Sequence, residues 1–349
     1  MISDAPVPPT RQIDPTLLQQ AMTLIEAAQR IALIAHEHPD GDCLGSALGF
    51  MHILHQMGKV CVPACADPAP RVFSFLPGVE LLQQTLGDEH FDLVIALDAG
   101  ELTRFGQLYQ HHQEFLTSVA ILNIDHHISS RGCGRVNIID PVSAATAELL
   151  VLVQQQAHLP LHQDAALCLL TGLITDTMSF QFTNTTARTM EVAALLLRAG
   201  AVPEKVAKPI YRTHSLASIR FQAEVINTAQ TDCNGRLIWS YATGETLAKA
   251  GATPEMGDNL SAILCDIEGV QIAVFFKNYG ESALTDLSLR CAAPHNAAEI
   301  CMRLGGGGHA RAAGATLHMP LAEAMPTVVA ELKRVIKDEE QVSADGVSE

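Results

Sequence analysis

Three short apolar runs in this chain each stop at aspartate or histidine. "IALIA" (31–35) meets His36, Asp40 and Asp42; "FDLVIALD" (91–98) closes on Asp98; "VAILNID" (119–125) closes on Asp125, ahead of His126 and His127. The runs are continuous rather than alternating, the pattern of strands buried on both faces of a parallel sheet. A fourth run, "KVCVPAC" (59–65), has the same character. Helically spaced segments lie around them at 17–30, 43–58, 143–157, 162–177 and 187–199. Strands alternating with helices predict an α/β fold on a parallel sheet. Ligands of such sheets bind outside the carboxyl ends of the strands. Three separate strands therefore bring acids and imidazoles to one edge.

Taken singly, a His pair or a lone Asp says little; their joint arrival at successive strand ends is what counts. Asp176, in "GLITDTMSF", adds a carboxylate inside an otherwise apolar segment, costly to bury without a cation. Four or more carboxylates sharing a site repel one another and raise one another's pKa. Divalent cations remove that penalty. Carboxylate plus imidazole, with no thiolate, is a donor set for Mn²⁺, Mg²⁺ or similar ions. Two such ions about 3.5–4 Å apart clamp the attacking and leaving oxygens of a phosphoryl centre.

Composition narrows the partners. The chain has 349 residues and a formal net charge of -16, with no Lys/Arg cluster of the kind a long nucleic-acid groove requires. A small anionic substrate remains compatible with that charge. The nine cysteines are scattered without a C-x-x-C pair, as expected of reduced core thiols. "MISDAPVPPTRQIDP" is not a secretory signal, and no apolar run approaches the ~20 residues that span a bilayer. The expectation is a soluble cytoplasmic protein with no membrane contact.

The chain divides, on pattern, into a flexible N-terminus (1–15), a first domain (16–199), a proline-bearing linker (200–220), a second domain (221–336) and an acidic disordered tail (337–349). The second domain shows strand-like runs at 236–243, 270–278 and 284–291, and helices at 254–266 and 294–304. "RLGGGGHARAAGA" (303–315) places four glycines, Gly305, Gly306, Gly307 and Gly308, before His309. Their N–H groups can form an anion-binding nest. A helix starting at "HARAAG" would add its N-terminus to it. Arg290, closing the run "LTDLSLR", can bind phosphate bidentately.

These segments resemble a known family. "AHEHPDGDCLGS", "ALDAG", "NIDHH" and "GLITDTMSF", in that order, resemble the motifs of the DHH phosphoesterase superfamily, and "SLRC" and "GGGGHARAAG" resemble its DHHA1 companion domain. The resemblance covers roughly residues 15–335 and is greatest to the stand-alone nanoRNase and 3′-phosphoadenosine-5′-phosphate phosphatase type. It implies a parallel-sheet DHH domain, a smaller α/β DHHA1 domain and an active site in the cleft between them.

The resemblance also implies roles. His36 and Asp40 would bind one metal, most often Mn²⁺ in the family. Asp42, His126 and Asp176 would bind a second, and Asp98 would bridge both. A bridging hydroxide would attack phosphorus in line, with His127 beside the substrate phosphate and Asp125 supporting the histidines. Arg290, His309 and the 305–308 backbone would hold the terminal phosphate or nucleotide. Where family members often have Ser after the "SLR" arginine, this chain has Cys291, which implies an altered phosphate contact. His38 falls at a variable position.

The implied substrates are oligonucleotides of a few residues, pApA, or 3′-phosphoadenosine-5′-phosphate, with homodimers common in the family. Cyclic-di-AMP is an alternative substrate. A family-II-type pyrophosphatase would lack the glycine run, and a non-catalytic nucleotide-binding module would be expected to have lost a ligand.

Overall fold

The computed structural model describes residues 12–87, 90–257, 259–280, 283–308 and 310–345. His309 and residues 1–11 of the expected flexible N-terminus lie outside them. The chain divides into two compact units between Thr213 and His214.

The first unit runs α1 (Pro15–Ala27), β1 (Arg30–Ile34), α2 (Gly41–Gln56), β2 (Val60–Ala64), β3 (Leu93–Leu97), α3 (Gln107–His111), α4 (Gln113–Ser118), β4 (Ala120–Asp125), β5 (Val136–Ile139), α5 (Thr146–Gln156), α6 (Gln163–Asp176), α7 (Ala187–Arg198) and α8 (Pro203–Tyr211). Its sheet has the order β2-β1-β3-β4-β5, with every pair parallel. The continuous apolar runs are explained by burial on both sides. Ile31 and Leu33 of β1 join the core that holds α2, α5 and α6, while Ala32 and Ile34 join a second core with Phe91, Phe105 and Leu116.

Helix α2 owes its position to its own ends and to its glycines. Asp40 caps it, its Oδ1 accepting from the N–H groups of Asp42 and Cys43, each over 3.0 Å. Gly41, Gly45 and Gly49 then recur every fourth residue along the side facing α6. A Cβ at Gly45 would stand 2.4 Å from the Cys168 carbonyl oxygen, so only glycine lets the two helices close to this distance.

The second unit contains α9 (Leu216–Asn227), β6 (Gln230–Asp232), β7 (Leu237–Thr243), α10 (Gly244–Ala250), α11 (Leu260–Cys265), β8 (Ile272–Asn278), β9 (Thr285–Cys291), α12 (Ala297–Arg303), β10 (Gly307–Gly308), β11 (Ala312–Leu317) and α13 (Leu321–Asp345). Its sheet has the order β10-β11-β9-β8-β7-β6, with β7 and β8 parallel and the other pairs antiparallel.

Several expectations change. Residues 200–220 are largely helical, in α8 and the start of α9, because Val206 is fully buried there, as is Phe221 immediately after that segment. The expected disordered tail is helical as far as Asp345, since α13 anchors itself through Val328, Leu332 and Ile336. "ARAAG" contributes to a strand rather than a helix: β11 pairs with β9 along its length, and sheet pairing overrides the helix propensity of its alanines.

Candidate metal centre

The strand order places the acids and imidazoles. β1 lies between β2 and β3, so the order reverses at the β1/β3 boundary, where such sheets open a crevice. His36 follows β1, Asp98 follows β3, and Asp125 ends β4, with His126 and His127 next. Asp40 and Asp42 lie at the start of α2, and Asp176 is the last residue of α6.

Asp98 is central. Its Oδ2 is 3.5 Å from Nε2 of His36, and its Oδ1 is 3.5 Å from Nε2 of His126. Around the first imidazole, Asp40 Oδ2 is 3.7 Å from His36 Nε2. Around the second, Asp176 Oδ2 is 3.1 Å and Asp42 Oδ2 3.8 Å from His126 Nε2. Donor atoms of Asp42, His126 and Asp176 all lie within 4.8 Å of one another, as do those of Asp98, His126 and His127.

Each histidine is oriented by a bond at its other nitrogen. Nδ1 of His36 lies 2.7 Å from the Glu37 carbonyl, and Nδ1 of His126 3.2 Å from the Ser143 carbonyl. Carbonyls only accept, so both Nδ1 atoms donate and both Nε2 atoms face the carboxylates, the arrangement seen in metal-ligating histidines. His127 is different. Its Nδ1 bonds Oδ1 of Asp125 over 2.8 Å, and its ring is the most open of the three.

The electrostatics are those of a site built for cations. Asp42 is fully buried and Asp98 nearly so. Burial, joined by the charges of Asp98 and Asp176, pushes Asp42 well above the usual carboxylate range. Burial raises Asp176 too. His126 resists the downward pull of burial, and its bond to Asp176 and the nearby carboxylates lift it to about 10. Burial also opposes the charged form of Asp40, but His36 and the α2 N–H groups bring it down to about 2. Among the described residues no Lys or Arg pairs with any of the six predicted ligands. The uncompensated carboxylate charge and the inward Nε2 atoms fit divalent metal ions.

Other participants were not anticipated. The sequence places the cysteines in the core, and Cys43 is indeed buried, yet its sulfur also lies in a group with His36 and Asp40. Burial raises its pKa, which favours the thiol form in the metal-free chain. The start of α5 is the larger omission. The N–H groups of Thr146 and Ala147 donate to Asp42 over 2.6 and 3.0 Å, and the Thr146 hydroxyl donates to Asp98 Oδ1 over 2.8 Å. A helix start in "SAATAELL" was readable; that its first N–H groups face a carboxylate 104 residues earlier was not.

In the second unit, Arg290 is half-buried on β9, facing Ala312 of β11 and Ala273 of β8 in register. The glycine run is partly strand: Gly307 and Gly308 pair with Gly314 and Ala313. A Cβ at Gly306 would fall 2.1 Å from the Gly314 carbonyl oxygen, so this glycine serves chain packing. An open depression on this sheet is lined by Lys277, Ser288, Gly305, Gly306 and His318 among others, without Arg290. Cys291 is 3 % exposed and packs with the core that includes α12 and α13. By strand alternation it points away from Arg290, so its replacement of serine leaves the Arg290 face untouched.

The first unit is a doubly wound parallel sheet whose switch point presents Asp and His groups able to hold divalent cations. The chain belongs to the DHH phosphoesterase family: the DHH family N-terminal domain matches residues 30–173, and the DHHA1 domain matches residues 234–338. It is 30% identical over 311 residues to the bifunctional oligoribonuclease and PAP phosphatase NrnA of Thermus thermophilus, covering 86% of this chain and 87% of the relative. It is 26% identical over 343 residues to the cyclic-di-AMP phosphodiesterase PdeA of Listeria monocytogenes, covering 92% of this chain and 50% of that protein. In fold it is similar to an exopolyphosphatase-related protein from Bacteroides fragilis, with a TM-score of 0.85 at 21% identity over 94% of this chain and 99% of that one.

Proposed function

We propose that this protein is a metal-dependent phosphoesterase that hydrolyses short oligonucleotides, pApA among them, to mononucleotides and 3′-phosphoadenosine-5′-phosphate to AMP. The observation that carries the reading is the split of Asp98, one oxygen toward His36 and the other toward His126. His36, Asp40 and Asp98 would hold one divalent ion, and Asp42, His126, Asp176 and Asp98 a second. Mn²⁺ is the proposed ion, as the family pattern implies, and the oxygen and imidazole donor set is compatible with it. The ions would supply charge neutralisation at phosphorus and a water acidified to near neutral pH.

The chain's own groups do the rest. Asp98 ties the two halves together, with one oxygen toward each. His127 is held by the bond from its Nδ1 to Asp125, and its ring is the most exposed of the three. The Asp125 bond raises His127 above its ordinary pKa, against burial, and favours the imidazolium. That cation donates to a non-bridging phosphoryl oxygen as charge develops there. Arg290 and His309 are proposed to take the terminal phosphate, as the family pattern implies. The net charge of -16 suits a short anion brought to a metal centre and disfavours long strands.

No helix among the described residues is long and apolar enough to cross a membrane. All nine cysteines are free, which suits the reducing cytoplasm. A homodimer would be read directly from light scattering.

Single-turnover assays with Mn²⁺ on pApA, a five-residue RNA, 3′-phosphoadenosine-5′-phosphate, cyclic-di-AMP and pyrophosphate test the proposal, with Asp98→Ala as control. Mononucleotide from the first three, absent in the control, is expected. Cleavage of cyclic-di-AMP alone would move the function to the alternative. Binding without turnover of any substrate would refute catalysis.

A further inference from the structure

We propose that Thr146 is a positioning residue that couples the two halves of the metal centre and sets its metal affinity; this rests on the metal-binding reading above. Thr146 is fully buried and bonds two carboxylates that reach the site from different elements, Asp42 from the start of α2 and Asp98 from the end of β3. Its N–H donates to Asp42 Oδ2 over 2.6 Å, and its hydroxyl donates to Asp98 Oδ1 over 2.8 Å. The first carboxylate belongs to one half only. The second faces both. An aspartate's terminal torsion is broad, so a lone Asp98 carboxylate could rotate its plane away from one imidazole or the other. A hydroxyl bond to one of its oxygens fixes that plane, so that one oxygen faces His36 and the other His126 at once.

A positioning residue must itself be held, and Thr146 is. Behind it, Glu148 is fully buried and pairs with Nε of Arg188. Glu148 Oε2 accepts from the Ala144 N–H over 3.1 Å and from the Thr189 hydroxyl over 2.9 Å. Arg188 also donates to the Ser143 hydroxyl over 2.8 Å. The segment 143–148 is thus tied to α7 from behind, while in front it also offers the Ser143 carbonyl to His126. One short stretch orients Asp42, Asp98 and His126 together. None of its residues needs to touch a metal ion.

The test is Mn²⁺ binding, read from the free-ion EPR signal, for wild type, Thr146→Val and Thr146→Ser. Valine keeps the shape and the backbone N–H but removes the hydroxyl; serine retains it. Valine is expected to weaken Mn²⁺ binding by about 10–100-fold, the usual cost of losing an outer partner of a metal ligand. Serine should bind close to wild type. In turnover assays the valine variant should need more Mn²⁺ for half-maximal rate, with kcat largely recovered at saturation. A purely structural role would lower thermal stability in chelator and leave affinity unchanged.

Wild-type affinity in the folded valine variant overturns the inference while leaving the proposed function standing. Failure of wild type to bind Mn²⁺ better than Asp98→Ala overturns the proposed function itself. If the valine variant does not fold, Thr146→Ala places the same demand without apolar bulk beside the carboxylate.

Discussion

Asn123 brackets Asp98: its side-chain amide donates to the carbonyl of Ala96 over 3.2 Å and to that of Ala99 over 2.9 Å, on either side of the aspartate. Asp98 has a φ of +58°, a left-handed conformation that non-glycine residues seldom adopt. The fully buried Asn123 therefore holds the chain through the turn that aims Asp98 across the crevice. Replacing Asn123 with Ala leaves two carbonyls without that donor. The loss should be about 2–6 kcal/mol of stability, at roughly 1–3 kcal/mol per buried unsatisfied group. Asn123→Asp should be worse, since a carboxylate would face two carbonyl oxygens. Urea unfolding of the metal-free proteins measures both; an Ala variant as stable as wild type would remove Asn123 from this role.

Metal removal should make the protein sensitive to pH in a definite direction. Asp42, Asp176 and His126 all have raised pKa values in the folded chain. Such groups stabilise the fold below their unfolded values, and that stabilisation is lost as pH rises through the folded ones. For His126 the window runs from 6.5 to about 10. The chelator-treated protein should therefore melt at lower temperature as pH rises across this interval. Mn²⁺ competes with the same protons, so the rise in Tm on adding it should grow with pH. A Tm gain that shrinks with pH would count against the ligand set.

The glycines between α2 and α6 separate packing from chemistry. A Cβ at Gly45 would press on the Cys168 carbonyl, and one at Gly172 would stand 2.5 Å from Asp42 Oδ1. Gly45→Ala should destabilise by about 1–3 kcal/mol or more, because backbone cannot swing aside. Gly172→Ala should in addition weaken Mn²⁺ binding by displacing Asp42. Calorimetry of both variants decides; equal metal affinity in the two would deny Gly172 a part in shaping the site.

The Asp125–His127 bond predicts a pH–rate signature. His127 is raised chiefly by Asp125. If protonated His127 assists the reaction, kcat/KM falls as pH rises through its pKa. Asp125→Asn removes the charge that holds that pKa up, so the alkaline fall should begin at lower pH. An unmoved alkaline limb would assign the fall to another group.

Much of the first unit was legible because its strands are buried on both faces. Such strands are written as uninterrupted apolar runs, and β1, β2, β3 and β4 appear within a residue or two of their expected places. β5 was not, because Val136 and Ile138 alternate with Asn137 and Ile139 in a sheet-edge strand of only four residues. The second unit was less legible. Alanine and glycine in "GGGGHARAAG" carry no periodicity, and pairing with β9 decided their conformation.

For the site, the ingredients can be read from local sequence: which strand ends carry His36, Asp98 and the Asp125–His127 triplet, and that so many acids in one crevice call for cations. Which atoms meet follows from the folding of the chain as a whole. The reversal of strand order beside β1 puts His36 next to Asp98, and the glycine-spaced contact of α2 with α6 brings Asp42 toward Asp176. Thr146 and Asn123 aim Asp98 from residues that no local pattern marks. The reason is physical. Local sequence sets backbone propensity and burial pattern within a few residues, whereas a hydrogen bond between residues 48 apart exists only after the core has closed.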